Sequence, residues 1–257
     1  LAGMSHHKET TLEPQTTPIL IAHRGGAHEA PENTMASFRH AIEIGAKYVE
    51  LDVQMSRDNE LVVIHDETLD RTTDGSGPIR EYTLEELKRL DAGSKFSHLY
   101  RDERIPTLRE VLELCVGAGV GVVVELKSPH LNPGLEEKVA ALLGEMWLRG
   151  AENIWCISFD HASIRKMRTL DPAVPLGYLF EWNEPSFVVA DDTVQALCPY
   201  YKTPLAYPEQ VAEAHRLGKF VFVYTANEAD EMRALYDAGI DGMVSDRPTL
   251  LLETLGS

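Results

Sequence analysis

The chain alternates short apolar runs with longer stretches in which apolar and polar positions repeat with the period of a helix. An apolar run of about four to eight residues is typical of a strand buried on both faces. These runs predict strands at residues 19–22, 48–53, 121–126, 154–157, 176–179, 194–197, 220–224 and 242–245, with a further short run at 61–64. The amphipathic stretches predict helices at residues 34–45, 83–90, 107–118, 134–149, 161–170, 184–190, 208–217, 228–238 and 248–255.

Several of these helices have recognisable ends. Thr83 and Thr107 each precede an apolar stretch and are followed three residues later by Glu86 and Glu110, which is the pattern of a capping box. Pro248 favours a helix that begins there, because its missing N–H group costs nothing in a first turn. These helix starts are therefore indicated by side chains as well as by periodicity.

About eight strand-then-helix units in succession are the pattern of a (β/α)8 barrel, the TIM barrel. A doubly wound open sheet is the alternative, but it more often has a glycine-rich phosphate-binding turn after its first strand. Here that turn reads His23-Arg24-Gly25-Gly26. The stretch from Asp66 to Pro106 is too long for a barrel loop. We expect it to be a small insertion after the second strand, at about residues 66–106, over the strand ends where the active site of a barrel lies.

At 257 residues and 44% hydrophobic, the chain can bury one large core, and we expect one domain over residues 19–257. Residues 1–18 are polar and lack the apolar centre of a signal peptide, which predicts a flexible leader and a cytoplasmic protein. The sequence has no run of 18 apolar residues, so we expect no membrane span. Cys115, Cys156 and Cys198 cannot all pair, and we interpret them as buried small hydrophobes in a reducing compartment.

The charge balance narrows the choice of partners. The chain has 24 basic and 41 acidic residues, which gives a net charge of −17. Such a surface repels nucleic acid and anionic membranes. A small phosphorylated substrate is still allowed where cations are concentrated locally, and a homo-oligomer is allowed as well.

Carboxylates stand at the ends of two predicted strands. Glu50 and Asp52 lie two residues apart, so both side chains point to the same face. Glu125 ends another apolar run and shares its face with Lys127. Three carboxylates and water suit Mg²⁺ or Ca²⁺, whereas zinc favours more histidine or cysteine. The alternatives are acids that are solvated or paired with Arg or Lys at a strand end and, for Glu125, a plain ion pair with Lys127.

Two histidines directly follow apolar runs. His23 comes after residues 19–22 and His65 after residues 61–64, so each is delivered to the end of a strand. One of them could donate a proton to a leaving alkoxide while the other accepts one from the nucleophile. A histidine hydrogen-bonded at the edge of the core is the alternative for either residue alone. Asp66 could orient the ring of His65 or cap the following turn.

Arg24 and Lys127 are the cations available to a phosphate group. The guanidinium of Arg24 can bind phosphate oxygens in a bidentate fashion, and an ion pair with Glu32 or Glu50 is the alternative. Tyr224 ends a late strand and could pack on a group the size of glycerol, although an aromatic residue at the edge of the core fits equally well. Together with the carboxylates and histidines, these residues favour metal-assisted attack on a phosphate ester.

These segments together resemble the glycerophosphodiester phosphodiesterase family. The resemblance covers nearly the whole chain from Ile19 onward, and its most specific part is the N-terminal combination. It rests on His23-Arg24, Pro31-Glu32-Asn33-Thr34, Glu50-Leu51-Asp52-Val53, residues 61–66, Glu125-Leu126-Lys127, residues 223–227 and residues 239–248. Two positions depart from the family pattern: Tyr224, where many relatives carry tryptophan, and Ala226, where valine is common. The first departure concerns the lining of the alcohol pocket, and the second concerns packing.

The resemblance implies a TIM barrel with a small insertion after the second strand. It implies that family-typical roles fall on residues of this chain: Glu50, Asp52 and Glu125 for binding Mg²⁺ or Ca²⁺, His23 and His65 for acid–base catalysis, and Arg24 and Lys127 near the phosphate. Family members cleave glycerophosphodiesters, which are small molecules, to glycerol 3-phosphate and an alcohol. One alternative is a phospholipase-D-like enzyme that acts on lysophospholipids. The other is a non-catalytic phosphodiester-binding barrel, which would lack a histidine or a metal carboxylate, whereas this chain has them all.

Overall fold

The structure is a computed structural model that describes residues 18–147 and 153–256. Residues 1–17 of the predicted leader lie outside the described residues, and so does the end of the helix predicted at 134–149. Each predicted strand is present in the described part, with small shifts at some ends. The strands there are, in chain order, β1 (Ile19–Ala22), β2 (Tyr48–Met55), β3 (Leu61–Val63), β4 (Gly121–Leu126), β5 (Ile154–Ser158), β6 (Leu176–Leu179), β7 (Ala196–Cys198), β8 (Phe220–Val223) and β9 (Gly242–Ser245).

Eight of these strands form a closed parallel barrel, which confirms the predicted fold. All of them except β3 pair in parallel with their neighbours, and β1 pairs with both β2 and β9, which closes the sheet. The helices in the described residues are α1 (Met35–Glu43), α2 (Leu84–Leu87), α3 (Leu108–Gly117), α4 (Leu135–Trp147), α5 (His161–Leu170), α6 (Lys202–Ala206), α7 (Glu209–Arg216), α8 (Ala229–Asp237) and α9 (Pro248–Leu255). Within residues 18–147 and 153–256, none of the helices combines the length and apolar character needed to cross a membrane.

Two apolar layers follow from the alternation of side chains along each strand. On β4, Val122 and Val124 belong to the large core between the strands and the surrounding helices, whereas Val123 belongs to a smaller cluster. That smaller cluster fills the centre of the barrel and includes Ile21, Trp155, Ile157, Leu179, Phe222 and Val244. Cys115, Cys156 and Cys198 are buried and unpaired, as the sequence predicts.

The strand β3 turns back along β2 and stands outside the parallel barrel. Val53 pairs with Val63, and Met55 pairs with Leu61, in antiparallel register. The residues that follow, up to Pro106, surround an apolar cluster of their own, formed by Val62, Ile64, Leu69, Ile79, Leu87, Ala92 and Ile105. The stretch expected to be an insertion is therefore an ordered layer with its own small core.

The helix predicted at residues 184–190 is wrong. These residues form an irregular segment between β6 and β7. The side chain of Gln210 accepts a hydrogen bond from the backbone N–H of Phe187 at 3.2 Å and donates one to the carbonyl of Pro185 at 2.9 Å. Phe187 is buried, and Pro185 has no N–H to give a helix. The segment thus bonds to α7, and the bond that it makes internally, from the N–H of Val188 to Oγ of Ser186 at 3.4 Å, is not a helical one.

Two smaller differences concern the same side of the barrel. β7 begins at Ala196, two residues later than the apolar run predicted, and ends at Cys198. The helix α6 was not predicted, because five residues are too few to show a helical period.

The capping boxes predicted at Thr83 and Thr107 are both present. Each threonine hydroxyl accepts a hydrogen bond from the backbone N–H of Glu86 or Glu110, and each glutamate carboxylate accepts one from the threonine N–H. Thr34 caps α1 in the same way, through its bond from the backbone N–H of Ser37. The side chains that mark helix starts in the sequence therefore make the expected contacts.

We expect T107A to lower the free energy of unfolding by about 1 kcal/mol, because the hydroxyl that satisfies the N–H of Glu110 is lost. Urea unfolding followed by circular dichroism measures the change. T107S is the matched control, since it keeps the hydroxyl. Equal loss of stability in both variants would contradict the capping role.

Candidate active site

Two neighbouring strands bring the three predicted carboxylates together. Glu50 and Asp52 lie on β2, and Glu125 lies on β4, which pairs with β2 so that Asp52 is directly opposite Glu125. All three side chains are buried, and each offers one oxygen atom to a group in which these atoms lie within 4.8 Å of one another. The two-residue spacing on β2 and the register with β4 therefore create one acidic cluster at the carboxyl end of the barrel.

The acidic cluster cannot hold three ionised carboxylates unless positive charge lies close to it. Burial raises the pKa of Glu50 well above its usual value, and the nearby charges of Asp52 and Glu125 raise it further. Burial also raises the pKa of Glu125, to about 7. Burial works in the same direction on Asp52, but Arg24 and the other cationic groups around it outweigh burial and lower its pKa. Asp52 is thus the member of the cluster held in its charged form.

The donor set of the acidic cluster fits a hard divalent cation. Asp52 is completely buried, and among the described residues its Oδ1 has no hydrogen-bond partner, with Lys127 Nζ 3.8 Å away, although buried polar atoms normally have one. The other oxygen, Oδ2, accepts a hydrogen bond from Asn33 Nδ2 at 2.8 Å. A cation between the carboxylates would satisfy Oδ1 and remove the repulsion between the acids. Oxygen ligands alone are typical of Mg²⁺ and Ca²⁺ rather than of zinc.

His23 is held by a residue that is distant in the sequence but lies at the end of the neighbouring strand of the barrel. It follows β1, and its Nδ1 lies 2.5 Å from Oδ1 of Asp246, which follows β9. Asp246 in turn accepts a hydrogen bond from Nδ2 of Asn227 at 2.7 Å. With Nδ1 bound to Asp246, the opposite nitrogen Nε2 faces the acidic cluster, 3.8 Å from Oε2 of Glu50.

His65 reaches the same cluster by a different route. The antiparallel strand β3 returns towards the barrel, and the backbone N–H of Ile64 bonds to the carbonyl of Asp52 at 3.0 Å. Nδ1 of His65 lies 2.7 Å from Oδ1 of Asp66, and Nε2 lies 3.1 Å from Nζ of Lys127. Asp66 therefore orients the ring of His65. Of the two roles that the sequence leaves open for Asp66, orienting this ring and capping the following turn, its side chain takes the first. Burial lowers the pKa of His65, and the charges of Arg24 and Lys127 act in the same direction.

The two cations lie at the cavity and are paired with acids. Arg24 NH1 lies 2.9 Å from Glu32, and its Nε lies 3.2 Å from Asp52. Lys127 Nζ lies 2.8 Å from Glu125. The ion pairs considered for both residues are therefore present, and the same geometry directs both cations to the cavity.

The turn after β1 presents Arg24 in an unusual backbone conformation. Arg24 has φ of 51°, and Gly25 and Gly26 have φ of 81° and 109°. A Cβ at Gly25 would lie only 2.4 Å from Oγ of Ser37, so α1 packs directly on this turn. Glycine at this position lets the chain pass close enough to α1 to place Arg24 over β2.

One cavity of about 230 Å³ joins these groups. It is smaller than the roughly 300–1,000 Å³ of sites for drug-sized ligands, which suits a small substrate. Its lining has a polar wall, formed by His23, Arg24, Glu50, His65, Glu125 and Lys127, and a mainly apolar wall, formed by Ile157, Phe159, Leu179, Phe222, Tyr224 and Val244. Asp52 belongs to the acidic cluster beside this cavity.

Tyr224 belongs to the apolar wall of the cavity. Its hydroxyl donates a hydrogen bond to the carbonyl of Phe180, and its ring packs edge-on against Phe159, with centroids 5.7 Å apart. The hydroxyl is therefore committed to the protein, and the ring is the part that faces the cavity.

Three residues of the site have no role assigned from the sequence. Asp246 directly follows β9, and Asn227 lies in the loop after β8, so a polar residue after a strand end is the available signal. Arg71 lies in a loop, where no periodicity marks it. Arg71 donates hydrogen bonds to both Glu32 and Asp66 and so touches the partners of Arg24 and His65.

A parallel barrel with carboxylates, histidines and cations at its carboxyl end has the donor set of an enzyme of metal-assisted phosphoryl transfer. The model of the Glycerophosphoryl diester phosphodiesterase family matches residues 23–250. The glycerophosphodiester phosphodiesterase of Caldanaerobacter subterraneus subsp. tengcongensis is 40% identical over 237 residues, which cover 91% of this chain and 96% of that protein. The chain belongs to the glycerophosphoryl diester phosphodiesterase family, which confirms the resemblance seen in the sequence.

Solved structures agree with this assignment. A phosphodiesterase of Oleispira antarctica in complex with the product sn-glycerol-3-phosphate has a TM-score of 0.83 and 33% identity, covering 94% of this chain and 98% of that chain. The glycerophosphodiester phosphodiesterase of Agrobacterium tumefaciens has a TM-score of 0.80 and 30% identity, covering 92% and 99%. The barrel architecture is thus shared along nearly the full length of these chains.

We expect Mg²⁺ or Ca²⁺ to bind more tightly as the pH rises from about 6 to about 8, since the ion must displace a proton from the acidic cluster. The pKa of Glu125 is raised to about 7 by burial, so this carboxyl is largely protonated at the lower pH and ionised at the higher one. Isothermal titration calorimetry of the metal-free protein in two buffers measures both the affinity and the protons released. E125Q is the control, and it should bind more weakly with a flatter pH dependence. An affinity of the native protein that does not change over this range would contradict the expectation.

Proposed function

We propose that this protein hydrolyses glycerophosphodiesters to glycerol 3-phosphate and an alcohol, with a divalent cation bound by Glu50, Asp52 and Glu125. The observation that carries the proposal is the convergence of the acidic cluster, two histidines and two cations on one small cavity. The names of the relatives support the substrate class, and the ligand of the Oleispira antarctica enzyme is the phosphate product of such a reaction.

The cation we propose is Mg²⁺ or Ca²⁺, because the acidic cluster offers oxygen atoms only. When bound there, such an ion would polarise the phosphate and offset the negative charge that develops in the transition state. Arg24 and Lys127 face the same cavity and are suited to bind the phosphate oxygens that the cation leaves free. Their ion pairs with Glu32 and Glu125 hold both side chains in place before substrate arrives.

We assign the proton transfers to the two histidines. Asp66 accepts a hydrogen bond from Nδ1 of His65, which leaves Nε2 as an acceptor at the cavity, 3.1 Å from Nζ of Lys127. Because burial lowers the pKa of His65, its neutral ring is available near neutral pH to take a proton from the nucleophile. His23, held at Nδ1 by Asp246, presents Nε2 to the cavity and is suited to protonate the leaving alkoxide.

The apolar wall is suited to the carbon atoms of the substrate. The ring of Tyr224 and its neighbour Phe159 offer contact area but no free hydroxyl. We propose that this wall packs on the glycerol-sized part of the substrate. The cytoplasmic location and a homo-oligomeric state stay predictions from the sequence.

We expect H23A and H65A each to lower kcat by about 10²–10⁴-fold, the range typical of a lost general acid or base. Release of glycerol 3-phosphate from glycerophosphocholine measures this, and thermal unfolding shows whether the variants are folded. H98A is the matched control, because His98 is exposed and lies in a 3₁₀ turn away from the cavity. Near-normal turnover in a folded H23A or H65A variant would refute the assignment.

We expect EDTA to abolish this release and the restoring ion, Mg²⁺ or Ca²⁺, to identify the cofactor. D52N should not recover at any concentration of that ion at which the native protein is saturated, because the buried charged ligand is lost. Release of choline from lysophosphatidylcholine, which would leave a lysophosphatidic acid, tests the phospholipase-D-like alternative. Full activity in EDTA would contradict the role proposed for the acidic cluster.

A further inference from the structure

One arginine outside the barrel is linked to two residues of the polar wall of the cavity through two carboxylates. Arg71 lies in the ordered layer after β3, and its side chain is 46% exposed. It donates hydrogen bonds to Glu32 from NH1 at 2.6 Å and from NH2 at 2.9 Å. It donates two more to Asp66, from Nε at 2.7 Å and from NH2 at 2.9 Å. A single guanidinium therefore bridges two carboxylates, each of them bound at both oxygens.

Each of these carboxylates holds a residue that we place in the reaction. Oε1 of Glu32 also accepts a hydrogen bond from NH1 of Arg24 at 2.9 Å. Oδ1 of Asp66 also lies 2.7 Å from Nδ1 of His65. The result is a continuous chain of contacts: Arg24, Glu32, Arg71, Asp66, His65. Arg24 and His65 come from different segments of the sequence, and Arg71 is the member that joins them.

The electrostatics of the two carboxylates agree with this arrangement. Burial favours the neutral form of Glu32, but the hydrogen bonds and charges of Arg71 and Arg24 outweigh it and lower its pKa. The hydrogen bond from Arg71 is the largest cause that lowers the pKa of Asp66. Both carboxylates are thus charged and paired at neutral pH. A planar guanidinium can donate two hydrogen bonds to each of the two carboxylates at once, whereas an ammonium group has no such fixed arrangement of donors.

We propose that Arg71 is a positioning residue for the hydrolysis, which fixes Arg24 through Glu32 and the ring of His65 through Asp66. Its hydrogen bonds go to Glu32 and Asp66 and not to Arg24 or His65 themselves. This inference rests on the proposed function, since it assigns Arg71 a part in that reaction. An isolated ion pair at the surface would add little stability, but here the pair determines where two reacting groups point.

The test compares R71Q and R71K with the native protein in the glycerophosphocholine assay, with the restoring metal present. We expect R71Q to lower kcat at least about tenfold and to raise KM, as is typical when a group that orients a catalytic residue is lost. R71K should recover only part of the loss. E32Q should act mainly on KM, because it frees Arg24, and D66N mainly on kcat, because it frees the ring of His65.

The pH profile separates positioning from a purely structural role. The charged groups facing His65 are Asp66, Lys127, Asp52 and Arg24. Without the guanidinium, the carboxylate of Asp66 acts on His65 alone, so its imidazolium becomes more stable. The acid limb of kcat/KM should therefore move to higher pH by roughly one unit in R71Q.

R57Q is the matched control. Arg57 is also an exposed arginine that ties down this layer, through the carbonyl of Glu81 and the carboxylate of Glu86, but it does not reach the cavity. We expect R57Q to keep the native kcat, KM and pH profile. If R71Q matches R57Q in all three, or loses activity only in proportion to unfolded protein, the inference is overturned.

A second readout does not depend on turnover. Proton NMR of the native protein should show an exchange-protected Nδ1 proton of His65, assigned by its loss in H65Q, and in R71Q this signal should broaden or vanish. An unchanged signal in R71Q overturns the inference. Failure of the proposed function looks different: the native protein then releases no glycerol 3-phosphate, while the NMR comparison still decides whether Arg71 orients His65.

Discussion

The repulsion between three buried carboxylates is the constraint on which the arrangement of the rest of the site depends. The register of β2 and β4 forces Asp52 and Glu125 to be neighbours, and the two-residue spacing adds Glu50. Burying such a group of acids is costly unless positive charge is close. Arg24 and Lys127 supply positive charge to Asp52, at 3.2 Å from its Oδ2 and 3.8 Å from its Oδ1, and Oδ1 accepts no hydrogen bond from the described residues. The placement of cations, turns and loops around the barrel mouth follows from this need.

The two histidines are each held by a carboxylate. Nδ1 of His23 lies against Asp246, and Nδ1 of His65 lies against Asp66. Asp246 is held by Asn227, in the loop after β8. Asp66 is held by Arg71, in the ordered layer outside the barrel. The two rings are therefore oriented by different parts of the fold, His23 by the barrel and His65 by the layer packed beside it.

The sequence predicts the barrel and the set of polar residues because both are encoded locally. Apolar runs mark strands, threonines and glutamates mark helix starts, and His23 or Glu125 stands directly beside a strand signal. Contacts that join distant segments have no local signal. The bond from Asp246 to His23 spans 223 positions, and the antiparallel return of β3 depends on its pairing with Val53 and Met55. The wrong helix at residues 184–190 has the same cause, since Gln210 of α7 takes over the hydrogen bonds that a local helix would have needed.

The closure of the barrel through β1 and β9 affects the order in which the site is assembled during synthesis and folding. During synthesis β1 with His23 leaves the ribosome well before β9 with Asp246. A domain generally folds as a unit. His23 therefore meets its carboxylate only after β9 has been made and has paired with β1. The complete site therefore forms late in the life of each molecule, once the sheet has closed into a barrel.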